Sequence, residues 1–179
     1  MSDTVLNPPI DRPAGLQRVA EALAAAGHPH APVMLGDAAR TAQQAADALG
    51  VALGQIAKSI IFRRKNHPSG DEAAVLVVTS GDLRVDEKKV QAIVCAEGGK
   101  LGRADAEFVK ARTGFSIGGV SPLAHATPPV TLIDAQLFRF ADIWAAAGHP
   151  HGVFRLTPAE LQALTGAPVH DVTENPVSP

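Results

Sequence analysis

The sequence predicts a single α/β (α+β) domain, and three observations carry that prediction. Segments of helical and of strand periodicity alternate along the chain. One strand candidate holds the unbroken apolar run Val75-Leu76-Val77-Val78, the pattern of a strand covered on both faces. The chain of 179 residues, 46% hydrophobic and 19% charged, suits one core closed without disulfide or metal staples. That domain is expected over residues 13–173. Residues 1–12 and 174–179, Pro-bearing and aperiodic, read as flexible tails.

The elements follow in order. Residues 14–26 place Leu16, Val19 and Leu23 at helical spacing in an Ala-rich background, with Gly27 as the stop and Pro29 beyond it. Thr41 with Gln44 three residues on forms a capping-box pattern and opens a second helix that ends near Leu49-Gly50. Residues 56–63 and 73–79 are strand candidates, and Asn66, Pro68 and Gly70 make the segment between them a hairpin loop. Residues 86–96 and 104–112 read as helices, the second stopped by Gly114, and residues 130–133 as a strand. Residues 138–147 read as a helix on which Trp144 and Phe140 anchor the core. A strand over 153–156 and a helix over 158–164 follow, the helix with Thr157 as N-cap and Pro158 at its first position. AAAGHPH occurs at residues 24–30 and again at 145–151, and both copies read as the same helix-stop chemistry. His-Pro-His without a distant matching ligand set is a weak metal signal, so no metal site is expected.

Bulk properties exclude several classes. No apolar run approaches the ~18 residues of a membrane span, and the N-terminal MSDTVLNPPIDRP lacks the basic and apolar regions of a secretory signal. A single cysteine, Cys95, forms no internal disulfide, so a cytoplasmic protein without membrane contact is expected. Its setting in the apolar stretch 90–96 makes it a small core residue. Net charge is −2, too little for a protein held to nucleic acid by bulk electrostatics alone. Residues 58–112 nevertheless hold eleven Lys/Arg against eight Asp/Glu, net +3. Ordinary surface scatter accounts for this; the functional alternative is a mildly basic face for an RNA end.

CxxC, HExxH, GxSxG and Walker-type signatures are absent. Three features remain. Lys58 stands at the mouth of an apolar strand, where its ammonium must reach solvent or an anion. It is either a snorkelling edge lysine or a point charge for a phosphate or oxyanion. Gly118-Gly119-Val120-Ser121-Pro122 allows positive φ and close backbone approach, so its N–H groups can converge on a carbonyl. Its structural alternative is a tight helix–strand connection. Ser80-Gly81-Asp82 reads as a turn after the buried strand, where loops often present functional groups.

In this order and spacing the features resemble the YbaK/prolyl-tRNA synthetase-associated editing domain, the family of free-standing Cys-tRNA(Pro) and Ala-tRNA(Pro) deacylases. The resemblance runs over about residues 41–172. It rests on TAQQAADALGVALGQIAKSIIF, VLVVTSGDLRVDEKKV, TGFSIGGVSPLA, TLIDAQLF and GVFRLTPAELQALTGA. It implies a mixed, curved, partly barrel-like sheet with helices packed outside, and hydrolysis of the ester between a small amino acid (Cys, Ala, Ser or Thr) and the terminal adenosine of a misacylated tRNA. The family's lysine falls on Lys58 and its GxxxP loop on residues 118–122.

By the same resemblance, Gly118 and Gly119 would contact the aminoacyl carbonyl or ammonium, and Lys58 the terminal phosphate or ribose. Ser121 would position water, and Ser80, Gly81, Val120, Pro122 and His149 would contact substrate. An activated ester asks for orientation and oxyanion stabilisation rather than a strong enzyme nucleophile, so no cofactor is expected. The partners expected are the tRNA acceptor end and, as a candidate, an aminoacyl-tRNA synthetase. The chain itself would be a monomer or weak homodimer. Pocket walls are expected to include the 34–36 region and the strand bearing Lys58. A non-catalytic module binding a nucleotide or aminoacyl-tRNA end, and a broad small-ester hydrolase, are the alternatives.

Overall fold

Strand β3 (Ala73–Ser80) is the innermost element: Val75, Leu76, Val77 and Val78 are each fully buried, as their unbroken apolar run predicts. The computed structural model describes residues 13–37, 39–70 and 72–174. The expected tails over 1–12 and 175–179 lie outside these residues. Glu174, expected to begin the second tail, is still tied in, its N–H donating to the Arg84 carbonyl at 2.8 Å.

The order of the remaining elements is α1 (Ala14–Ala25), β1 (Val33–Met34), α2 (Ala42–Leu49), β2 (Ile56–Lys65), then after β3, α3 (Glu87–Val94), β4 (Lys100–Arg103), α4 (Ala106–Thr113), β5 (Val130–Asp134), β6 (Ile143–Ala146), β7 (Gly152–Leu156), α5 (Pro158–Thr165) and β8 (Val169–His170). The strands form one mixed sheet in the order β1-β7-β6-β2-β3-β5-β8, with β4 paired to β2 off this path. Pairs β2–β6, β3–β5 and β5–β8 are parallel; the others are antiparallel. The sheet is not closed: β1 and β8 end the path without meeting, so it is mixed as expected but open rather than barrel-like.

Alternation along β3 sorts the core into two layers. Leu76 and Val78 face Leu16, Val19 and Leu23 of α1, Val109 of α4 and Leu161 of α5. Val75 and Val77 face Val90 and Val94 of α3. A smaller cluster packs Ala45 and Ala46 of α2 against Ile56, with Trp144 at its edge.

Local chemistry sets the helix limits. The Thr41/Gln44 and Thr157/Glu160 capping boxes are both formed, Pro158 occupies the first turn of α5, and left-handed Gly50, Gly114 and Gly166 end α2, α4 and α5.

The expected helix over 138–147 is not present. A 3-10 turn (Ala135–Arg139) is followed by β6, whose residues alternate buried and half-buried. Pairing decides this: β6 bonds β2 on one side and β7 on the other, and that tertiary gain outweighs the helix propensity of Ala145, Ala146 and Ala147. The two AAAGHPH copies therefore differ. Gly27, at φ 71°, follows α1 as expected, whereas Gly148, at φ 84°, turns the β6–β7 hairpin, closed by Ala147 N–H to Gly152 O at 2.9 Å. Strands β1, β4 and β8, of two, four and two residues, are too short to leave a periodic signal. Cys95 is half-buried at the end of α3, packed against the second cluster, and burial pushes its thiol above the ordinary range.

Asp134 closes the C-terminal side of the sheet. Fully buried, it accepts the Val172 and Gln136 N–H groups and the Thr173 hydroxyl. Asp134→Ala strands these donors and is expected to cost about 2–3 kcal/mol of stability in urea unfolding. Asp134→Asn, which retains an acceptor oxygen, is expected to cost less.

Candidate active site

Strand β2 carries three neighbours. Along one edge it pairs with β3 over residues 57–64; along the other, β6 pairs with Ile56 and Ala57 and β4 with residues 62–65. Residues 58–61 therefore have no strand on that second edge among the described residues. Against this gap lies a cleft of about 310 Å³, walled by Ala45 of α2, Trp144 of β6, Val153 of β7, Leu35, and Ile117, Gly118 and Val120 of the loop after α4. Lys58 and Ser59 line it from β2. Its walls are mainly apolar, so the polar groups that enter it are few.

Lys58 is half-buried, and its ammonium donates to the Leu83 carbonyl at 3.2 Å. Burial depresses its pKa below the ordinary lysine range; Asp82 opposes this and Arg84 adds to it. Asp82 is itself held by Arg139, 3.0 Å away. Burial pushes the Asp82 carboxyl up, but the Arg139 hydrogen bond and charge outweigh it and leave the group below its usual range.

The loop over residues 118–122 begins in a turn closed by Gly119 N–H to Ser116 O at 3.0 Å, with Gly118 at φ 91° as the third residue of that turn. Gly118 is exposed. Among the described residues, the Gly118 and Val120 amides donate to no other protein group. Gly119 is buried against the hairpin of β6 and β7: a Cβ there would stand 2.7 Å from the His149 carbonyl carbon and 2.9 Å from the Pro150 nitrogen. This glycine is required for close approach between two backbones rather than for its φ.

The structure thus brings Lys58, Gly118 and Val120 to one cleft, with Gly119 as the joint behind them. Other expected contacts fall elsewhere. The Gly119 amide is already used by its own turn. Ser121 is fully buried, its Oγ accepting the Leu123 N–H at 3.2 Å and its carbonyl bonded by His125 Nε2 at 2.5 Å, so the hydroxyl serves the loop and does not line the cleft. Burial lowers the His125 pKa, with the Ser121 carbonyl opposing and Arg18 adding to the shift.

Pro122 is buried and lines a surface dent on the far side of the loop, near Leu164. Ser80 is the fully buried last residue of β3, its hydroxyl bonded to the Gly54 carbonyl and accepting from Arg139, which holds the following turn in place. Gly81 lines a second, larger cleft and lies too close to the Leu53 carbonyl to carry a side chain. His149 lines a separate hollow with Gly119 and Phe115, and its Nδ1 accepts the His151 N–H at 3.1 Å. Of the 34–36 region only Leu35 reaches the smaller cleft. Trp144, Val153 and Ala45 were not legible as site residues, because they converge only once β6 pairs with β2. Among the described residues, no three His, Cys, Asp or Glu side chains gather as a metal site, and no helix is long and apolar enough to cross a membrane.

Residues 37–164, which contain every wall of this cleft except Leu35, match the family model described as "Aminoacyl-tRNA editing domain". The chain belongs to that family. Among curated relatives, "Uncharacterized protein YwhH" of Bacillus subtilis (strain 168) is 36% identical over 125 residues, 70% of this chain and 74% of that protein. A solved structure described as a "putative trans-editing enzyme for prolyl tRNA synthetase" is 41% identical, with a TM-score of 0.82 over 92% of this chain and 99% of that one. A second, "hypothetical protein APE2540", is 29% identical, with a TM-score of 0.76 over 88% of this chain and 99% of that one. These likenesses span nearly the whole editing domain, so its mixed sheet and outer helices are the family's architecture.

The joint at Gly119 yields a direct test. Gly119→Ala must push the loop from the His149-Pro150 backbone, at an expected cost of about 1–3 kcal/mol. Thermal unfolding should register that loss, whereas Gly36→Ala, with open space around its Cα, should leave the midpoint nearly unchanged.

Proposed function

We propose that this editing domain is a trans-acting deacylase that hydrolyses the ester of misacylated tRNA bearing a small amino acid. One observation carries the reading: Lys58, Gly118 and Val120 line a single small apolar cleft at the gap in the sheet, and the amides of both loop residues have no protein acceptor among the described residues. An aminoacyl ester is already activated, so hydrolysis needs its carbonyl held and the tetrahedral oxyanion stabilised while water attacks. Amides of the 118–120 turn suit the carbonyl oxygen, and the apolar walls suit a short side chain. Lys58, a compact cation that needs no fixed fork geometry, suits the ribose and its phosphate next to the ester.

The half-buried setting of Lys58 strengthens its field at the ester, because fewer waters screen it. Its burial also limits the pH range in which it is charged. A cleft of about 310 Å³ distinguishes Cys, Ala, Ser and Thr by contacts that differ by a methyl, hydroxyl or thiol group. The likeness to a structure described as a putative trans-editing enzyme for prolyl tRNA synthetase supports tRNA(Pro) as the first tRNA to try and a synthetase as the partner to test.

The test is deacylation of tRNAs charged with Ala, Cys, Ser, Thr and Pro. Wild-type protein is expected to hydrolyse a subset. Lys58→Ala should lose about 10²–10³-fold in rate with an unchanged circular-dichroism spectrum. Because the ammonium is the active form and its pKa is lowered, the catalysed rate, corrected for spontaneous hydrolysis, should fall with rising pH before the ordinary lysine range is reached. Lys58→Arg, if active, should lack that limb. Absence of hydrolysis with every charged tRNA, from folded wild-type protein, would instead favour a non-catalytic binding module.

A further inference from the structure

Lys58 lines both the small cleft at the gap and the larger one, about 900 Å³, whose other wall runs from Gly81 into α3, so the two meet at the lysine. Its ammonium rests on the Leu83 carbonyl at 3.2 Å and, among the described residues, forms no ion pair. A half-buried cation beside carboxylates ordinarily pairs with one. The larger cleft faces it with Asp82, Arg84, Asp86, Glu87, Lys88 and Glu174; the smaller one adds Arg40. Asp82 immediately precedes Leu83, and its charge favours the ammonium while that of Arg84 opposes it. Asp82 is, however, already taken.

The group that takes it is Arg139, 57 residues further along the chain. Arg139 ends the 3-10 turn over residues 135–139, which is anchored by fully buried Leu137. Its guanidinium is held on three sides. Nε donates to the Gln136 carbonyl at 2.8 Å, Nη2 donates to Asp82 Oδ1 and to Ser80 Oγ, each at 3.0 Å, and the group lies 4.9 Å from the centre of the Phe140 ring. The other carboxylate oxygen is packed over Gly54: a Cβ there would stand 3.0 Å from Asp82 Oδ2 and 2.6 Å from the Phe140 ring. A neutral donor would suffice to hold the Ser80–Asp82 turn. A guanidinium also cancels the carboxylate charge, and Lys58 stands beside that charge.

We propose that Arg139 is a positioning residue of this site: by occupying the Asp82 carboxylate it keeps that charge from capturing the Lys58 ammonium, which stays on the Leu83 carbonyl where the two clefts meet. Asp82 lines the larger cleft and not the smaller. Without Arg139 the flexible lysine stem would let the ammonium swing onto Asp82, away from the Gly118 loop. The effect on rate rests on the deacylase reading, whereas the effect on the ammonium is independent of it.

The test reads the lysine directly. In the whole protein with isotope-labelled lysine, the Lys58 side-chain NMR signal, assigned by its loss in Lys58→Arg, is followed against pH. Asp82 stays ionised far below the range in which lysines titrate, so Arg139→Ala leaves a bare carboxylate beside Lys58 and should raise its midpoint. Asp82→Asn should lower it below wild type, and Arg139→Lys, which keeps a cation on Asp82, should leave it near wild type. The double variant separates charge from mere loosening of the turn. Adding Asp82→Asn to Arg139→Ala should abolish the rise, whereas a rise caused by extra hydration of the lysine would persist. Below these midpoints, deacylation by Arg139→Ala should fall about tenfold and return in the double variant to the level of Asp82→Asn alone. If Arg139→Ala does not fold, Arg139→Gln, which keeps an amide donor, carries the same expectations. An unchanged midpoint in the folded variant, a rise that survives Asp82→Asn, or a rate not recovered in the double variant would overturn the proposal. Hydrolysis by wild type with unmoved midpoints would sink it and leave the deacylase standing; midpoints shifted as expected without any hydrolysis would do the reverse.

Discussion

Strand β2 must satisfy backbone groups along ten residues, and on one edge β6 and β4 leave residues 58–61 between them uncovered. Unpaired strand edges attract further strands and are usually blunted or covered. Here the gap is only four residues long and is flanked by α2 on one side and the glycine loop on the other. It is therefore open to a small ligand and too short to template another strand. The position of Lys58 follows from the same circumstance. A lysine at this point of a fully paired central strand would be buried between neighbours, whereas at the gap its stem lies on apolar surface and its ammonium remains within reach of a cleft.

Rigidity around the gap comes from backbone packed on backbone. Gly119 sits against His149 and Pro150 with no room for a side chain, so the glycine loop and the β6–β7 hairpin are in direct backbone contact. The hairpin is in turn tied to β2 through the parallel β6 pair, and the loop's Ser121 carbonyl is held by His125, whose ring stands edge-on to buried Phe115 at 5.5 Å. Side chains with chemistry in reserve, Ser80 and Ser121, are spent on turns. The Gly118 and Val120 amides remain without a protein acceptor among the described residues. Preorganisation of this kind places donors before substrate arrives and avoids reorganisation during reaction.

Electrostatics near the site are local. The chain is nearly neutral, and the surplus of cations over residues 58–112 is partly absorbed by the fold: Arg63 pairs with Glu72, and Arg64 donates to the Val94 carbonyl. What reaches the clefts is one half-buried lysine and a few exposed cations. On the proposed deacylase reading, recognition of an RNA end would depend on shape and a small number of charges, with a modest salt dependence.

Legibility from sequence tracked the range of the interactions involved. The capping box at Thr41, the N-cap at Thr157, the stops at Gly50 and Gly114, and the doubly covered β3 are decided within a few residues, and each was readable as such. Five ordered motifs also determined the family, with Lys58 and the glycine loop as its landmarks. Residues 138–147 were misread because alanine spacing favours a helix locally, while the strand gains its stability from β2 and β7, far away in sequence. The same holds for the site. Sequence assigned Gly119 a contact with the aminoacyl group, but only the fold shows that it packs against the His149-Pro150 backbone. Gaps in a sheet and the meeting of two clefts at one lysine are properties of pairing across the chain, which no local pattern encodes.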